Sequence, residues 1–222
     1  MEEQGKTSGA KLSYKEQAYN KLKDAIIFNR FRSGAIYSQD NICKELGISK
    51  TPLREALLEL QTDGYVSFYK GRGVLIEPVS DQQAREILES RMLMEPVCAQ
   101  WAAQRADEED LVNMASYLKE LKQKLSTENS QNLYRIDHAF HRAVITAAHN
   151  KMLYNFCDVV LNHFLRFEVK SVYNNSIDSH KVYLEHEKVF DAIKEKNAKK
   201  AFKAMETHLN NSFHRTLPIY WK

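Results

Sequence analysis

Eight histidines occur in this 222-residue chain, and all of them lie between positions 138 and 214. Neutral imidazole is a common ligand for transition metals and carries protons near neutral pH, so their confinement to one stretch invites a site. Asp137 and His141 are four residues apart, which stacks them on one face of a helix. His186 and His208 bracket Asn197 with eleven residues on either side. If 178–196 and 198–214 form an antiparallel hairpin, equal steps of about 1.5 Å per residue bring both histidines to the same height. Two histidines level across a hairpin and facing an Asp/His pair can close a site of three imidazoles and one carboxylate. Zn, Ni, Mn or Fe suits such ligands. The plainer reading is that helical histidines are solvated or satisfied singly, and that Asp–His pairs at this spacing arise by chance. His138, His149, His163, His180 and His214 have no matching partner geometry and read as structural.

A second group of residues suits a polyanion. Ser49-Lys50-Thr51-Pro52-Leu53-Arg54 places hydroxyls and two cations at the start of an amphipathic helix, fit for phosphate anchoring and guanine contact. Lys70 and Arg72 then flank a glycine turn, as a wing would. Charge alone does not decide the matter. Residues 1–78 carry 12 Lys and Arg against 10 Asp and Glu, and the whole chain is only +3. A cation on a surface helix is ordinarily just solvated.

The elements that must position these groups follow two grammars. Over 12–77, short amphipathic helices alternate with glycine punctuation. The spacing predicts a helix over Leu12–Arg30, a second from the Ser38 cap to Leu46, and a third over Thr51–Asp63 after the turn at Gly47. Pro52 falls in the first turn of the third helix, where a missing N–H is harmless, and Gly64 closes it. Tyr65–Tyr69 and Val74–Glu77 are β-prone, with Lys70-Gly71-Arg72-Gly73 as the hairpin turn. A helix, a tight turn, a second helix and a hairpin make the plan of a winged helix-turn-helix.

From Ser80 onward the pattern is helical throughout. Pro78 ends the extended run, and Ser80 with Gln83 offers a capping box. Six helices are expected at 80–104, 107–126, 130–148, 151–173, 178–196 and 198–214, with Pro96 kinking the first near Met92. The expected organisation is a tail over 1–11, a DNA-binding unit over 12–77, an all-helical bundle over 78–216 and a tail over 217–222. The fold class is mainly α, with one small β-hairpin.

Composition narrows the functions available. The 149 residues after Gly73 contain no glycine, where ordinary usage would supply about ten. Nucleotide-binding loops need glycine for positive φ and close backbone approach, so a Rossmann or P-loop site there is excluded. No apolar run approaches 18 residues, so no membrane span is expected, and the polar first dozen residues lack a signal-peptide core. A cytoplasmic protein is therefore expected. Cys43, Cys98 and Cys157 are too widely and too oddly spaced for a metal knuckle or a disulfide framework, and read as buried thiols.

The string from Gly47-Ile-Ser-Lys-Thr-Pro-Leu-Arg-Glu-Ala-Leu to Asp63-Gly-Tyr-Val66, followed by Lys70-Gly-Arg-Gly-Val74, resembles the GntR family of bacterial transcription regulators. The resemblance implies operator contacts from Ser49, Lys50, Thr51 and Arg54, and a wing tip at Lys70 and Gly71 beside Arg72. Lys50 stands where arginine is common, and lysine gives a point contact instead of a bidentate one. Asp40 stands where some members carry a DNA-contacting arginine, so it is left out. Further on, Asp137-His-Ala-Phe-His141, Asn150, Glu185-His186 and His208-Leu209 resemble the FCD-type ligand-binding domain of the FadR subgroup. Glu89-x-Arg91-x-x-x-Glu95-Pro96 is similar to that domain's opening helix. The resemblance implies a divalent metal ion on Asp137, His141, His186 and His208, and a homodimer on a short palindromic DNA operator. It also implies a small carboxylate effector met by Arg91; the alternative for Arg91 is a salt bridge to Glu95, one helical turn on. The function expected is a regulator whose operator affinity is controlled by that carboxylate. A metal-dependent enzyme and a direct metal-ion sensor are the competing readings.

Overall fold

The structure, a computed structural model, describes residues 12–125, 130–172 and 179–216, without the side chains of 130, 131, 167–172 and 216. The expected tails at 1–11 and 217–222, the break at 174–176 and most of that at 127–130 lie outside the described residues. The chain divides into two compact units that meet in sequence at Pro78 and Val79.

The first unit opens with helix α1 (Tyr14–Ile27), started by a reciprocal capping box between Ser13 and Glu16. Helices α2 (Gln39–Leu46) and α3 (Lys50–Thr62) follow, separated by Gly47 in the left-handed conformation at φ 63°. Strands β2 (Val66–Tyr69) and β3 (Gly73–Ile76) form the expected hairpin. A two-residue strand, β1 (Ile36–Tyr37), pairs with the other edge of β3, giving the antiparallel order β1-β3-β2. Leu22, Ile26, Ile42, Leu53, Leu57 and Ile76 pack the core, each worth about 1.5–3 kcal/mol on burial.

Two sequence expectations change here. The hairpin is part of a three-stranded sheet, because β1 is too short to show an alternating pattern. Cys43 is half-buried, since it lies on the flank of α2 while Ile42 alone of that helix is buried.

The second unit is all-helical among its described residues. Helix α4 (Asp81–Arg105) begins at the Ser80/Gln83 capping box and runs as one element through the buried Pro96. It is followed by α5 (Glu108–Lys124), α6 (Ser130–Ala147), α7 (Lys151–Val172), α8 (Ser179–Lys194) and α9 (Ala198–Thr216). Asparagines do the capping that the missing glycines do not: Asn150 Oδ1 accepts from Leu153 N at 3.0 Å and Asn197 Oδ1 from Lys200 N at 3.1 Å. Left-handed turn positions fall to His149 at φ 48° and Lys196 at φ 55°. Met114, Phe140, Val144, Val189, Ile193 and Met205 form the centre of the main core, which draws on five helices. Helices α6, α8 and α9 border it with their histidine-bearing faces.

Candidate metal centre and DNA-reading surface

His141 comes from α6, His186 from α8 and His208 from α9, and all three are buried. Their Nε2 atoms form a triangle with sides of 3.2 Å (His186–His141), 3.2 Å (His186–His208) and 3.1 Å (His208–His141). The α8–α9 hairpin turns at Asn197 and brings His186 and His208 level. Asp137, one turn before His141, lies along one edge: its Oδ1 is 3.4 Å from His186 Nε2 and its Oδ2 3.9 Å from His141 Nε2. The structure thus brings the four sequence-predicted ligands together.

The hydrogen bonds behind the triangle determine what it can hold. His141 Nδ1 is 2.5 Å from Glu95 Oε2, and His208 Nδ1 is 2.8 Å from Glu185 Oε2. Both glutamates are anionic. Burial pushes the Glu95 carboxyl up, but Arg91 and His141 outweigh it and hold the group well below the carboxylate range. Burial likewise pushes Glu185 up, and Arg215 and His208 bring it down to about 2. A carboxylate can only accept, so each holds its imidazole with a proton on Nδ1 and turns Nε2 inward. The Nε2 atoms of His141 and His208 thus face each other across 3.1 Å. Burial lowers the proton affinity of His186 and His208 below the ordinary histidine value, which favours their neutral, metal-binding form. Metal–nitrogen bonds of about 2.0–2.1 Å reproduce such separations at ligand angles near 100°, so the donor set fits a divalent transition ion.

Arg91 is buried on α4, where its Nε donates to Glu95 Oε1 at 2.5 Å and its guanidinium lies 4.2 Å from the centre of the Phe164 ring. The salt-bridge alternative for this residue is thus realised in the geometry. Glu95 and Glu185 stand in the quoted motifs, Glu95 also as the alternative partner of Arg91, but neither is assigned to an imidazole there, and Arg215 is not singled out. Glu185 precedes His186 directly, but the imidazole it holds is 23 residues further on. Glu95 is 46 residues from its partner, and no local spacing signals that pairing.

His138 and His149 lie apart from the triangle. His138 is buried beside Phe164, and burial lowers its pKa to about 3. His149 bonds Asp110 at 2.7 Å, and that carboxylate is also engaged in capping α5.

In the first unit, Ser49, Lys50, Thr51 and Arg54 are all exposed at the N-terminal end of α3. Ser49 is the N-cap residue, yet its side chain makes no capping bond, which leaves the hydroxyl to an outside partner. Lys50 Nζ pairs with Asp40 Oδ1 at 2.6 Å, both side chains well exposed, and Arg54 Nε reaches Gln39 Oε1 at 3.4 Å. Lys70, Gly71 and Arg72 are exposed at the turn between β2 and β3, with Gly71 at φ 73°. Cations thus stand at the head of α3 and at the tip of the hairpin.

A winged helix-turn-helix followed by a helical bundle with a histidine-lined centre defines a two-part class, a DNA-reading unit and an all-helical unit. The family comparisons agree. The model described as bacterial regulatory proteins, gntR family, matches residues 14–76, and that of the FCD domain matches residues 86–211. The chain belongs to the GntR family of bacterial transcription regulators and carries an FCD domain.

An HTH-type transcriptional regulator of Bacillus subtilis, YdhC, is 28% identical over 202 residues, covering 89% of this chain and 88% of its own. The Uxu operon regulator of Haemophilus influenzae is 29% identical over 189 residues, 78% of this chain and 70% of its own. The galactonate operon transcriptional repressor of Escherichia coli is 23% identical over 218 residues, 89% and 94% respectively. Among solved structures, E. coli McbR/YncC superposes with a TM-score of 0.82 at 19% identity, covering 95% of this chain and all of that one. At that identity the likeness speaks for the fold. The protein is a transcription regulator of GntR/FCD type, and the enzyme reading is set aside. No helix among the described residues is long and apolar enough to cross a membrane.

Proposed function

We propose that this regulator senses a small carboxylate at a divalent metal ion held by Asp137, His141, His186 and His208. The observation that carries the reading is the triangle of Nε2 atoms at 3.1–3.2 Å, with Asp137 along one edge. When bound, a Zn, Ni, Mn or Fe ion supplies a fixed Lewis-acid anchor with coordination positions left for a carboxylate. The protein's part is to orient four ligands in a buried setting. Relatives named for the galactonate operon of E. coli and the gluconate operon of B. subtilis make hydroxycarboxylates the first probes.

Ser49, Lys50, Thr51 and Arg54 would enter the major groove of the operator, while Lys70, Gly71 and Arg72 would meet its backbone or minor groove. A homodimer would present two such surfaces to a palindrome. An apolar stripe supports it: Met152, Phe156 and Val159 follow one face of α7, and they are 65%, 61% and 56% exposed. Leu93 on the adjoining α4 is 76% exposed. A carboxylate that binds one arrangement of the dimer better than the other shifts operator affinity by that difference.

The test is metal content and its consequence. Protein purified without chelator is expected to carry about one ion per chain, and the double substitution His186→Ala, His208→Ala is expected to lose it. Unchanged metal content in the double variant would refute the site.

A further inference from the structure

The two carboxylates behind the imidazoles come from different helices than the rings they hold. Glu95 on α4 bonds His141 on α6, and Glu185 on α8 bonds His208 on α9. Each carboxylate has its own arginine. Arg91 donates to both oxygens of Glu95, at 2.5 and 3.4 Å. Arg215 forks onto Glu185 with bonds of 2.9 and 2.8 Å, and Asn211 Nδ2 adds a third at 2.8 Å. The third imidazole is treated differently: His186 Nδ1 is buried with no hydrogen-bond partner among the described residues, and the Phe140 ring lies 4.7 Å from its own.

We infer that Glu95 and Glu185 are the positioning residues of the metal centre, with Arg91 and Arg215 as their dedicated counter-ions. The inference rests on the metal reading above and deepens it. A carboxylate accepting from Nδ1–H fixes the tautomer, points Nε2 inward and makes the imidazole a stronger donor. The pairing also settles the charge. Glu95 cancels Arg91 and Glu185 cancels Arg215, so a divalent ion and Asp137 leave the centre one positive charge in excess. That excess suits a single carboxylate held at the ion. Arg91 accordingly acts on the metal centre through Glu95 and His141. His186, with no carboxylate on its Nδ1 among the described residues, is the weaker donor of the three.

The test uses the full chain, stripped of metal and reloaded. Zn2+ affinity is measured by competition with a chromophoric chelator, and Co2+ loading is read from its visible ligand-field bands. Glu185→Gln keeps an acceptor oxygen but removes the charge. Glu95→Gln leaves a buried, uncompensated Arg91 and is prone to misfolding, so the double variant Arg91→Met, Glu95→Gln is made beside it. Asp158→Asn serves as the control, because it breaks the 2.6 Å Arg142–Asp158 ion pair between α6 and α7 without touching an imidazole. Glu185→Gln and the double variant are expected to lose Zn2+ affinity by about 10- to 100-fold and to shift the Co2+ bands, while Asp158→Asn changes neither. Wild-type affinity and an unshifted Co2+ spectrum in folded Glu185→Gln and in the double variant would overturn the inference while leaving the metal site standing. Failure of the wild-type chain to take up either ion would remove both.

Discussion

At the scale of single residues, the DNA-reading surface depends on side chains that are exposed and lightly committed. Arg54 spends one long bond on Gln39, so its guanidinium can turn to a guanine at little cost. Loss of a bidentate base contact costs about 1–3 kcal/mol. Arg54→Ala is therefore expected to weaken specific operator binding roughly 5- to 150-fold and to leave metal content unchanged, as read by fluorescence anisotropy and elemental analysis. Equal loss on operator and random DNA would mean that Arg54 touches only phosphate. The proximity of the four proposed ligand residues is legible in the sequence because Asp137 and His141 share a helix turn and His186 and His208 are symmetric about one turn. The glutamates behind them were not, because each pairing joins two helices and depends on how those helices pack. Arg91 shows the same limit: its position in the motif was readable, but its partner among two alternatives was not.

Among the elements, most helices announced themselves through caps. Ser38, Ser80, Asp107, Asn150 and Asn197 all accept a backbone N–H at a helix start, as does Ser13, which the sequence pattern does not mark. Strand β1 did not, since two residues carry no period. Its presence nevertheless explains one glycine. Gly73 sits at φ 122° where β3 passes β1, and a Cβ there would collide with the carbonyl oxygen of Tyr37. Gly73→Ala is expected to lower the melting temperature of the DNA-reading unit and to displace the wing, with loss of operator binding but retention of metal. An alanine variant with unchanged melting and operator affinity would show that β1 is dispensable. Left-handed turn positions at His149 and Lys196 are the counterpart in the glycine-free region. Composition alone gives no sign of them, because any residue can occupy such a position when the flanking helices hold it there.

For the whole molecule, the glycine distribution marks a real division. The last glycine lies at the start of β3, five residues before the division at Pro78. Beyond it, the histidine cluster is built from side chains on helices α6, α8 and α9. The exposed stripe on α7 belongs to the same scale. Phe156→Glu places a charge in the middle of it and is expected to convert a dimer to a monomer in light scattering, with operator affinity falling because two half-sites are no longer bound together. A variant that stays dimeric would move the interface elsewhere.

The central claim is that a carboxylate acts on operator binding only through the metal centre. The most direct measurement is operator affinity by anisotropy on DNA from the gene's own upstream region, for metal-loaded and metal-stripped protein, titrated with galactonate, gluconate and simpler hydroxycarboxylates. At least one of these is expected to shift the operator affinity of the loaded protein and to leave the stripped protein unaffected. An equal shift without metal, or a response to the metal ion alone with none to any carboxylate, would contradict it.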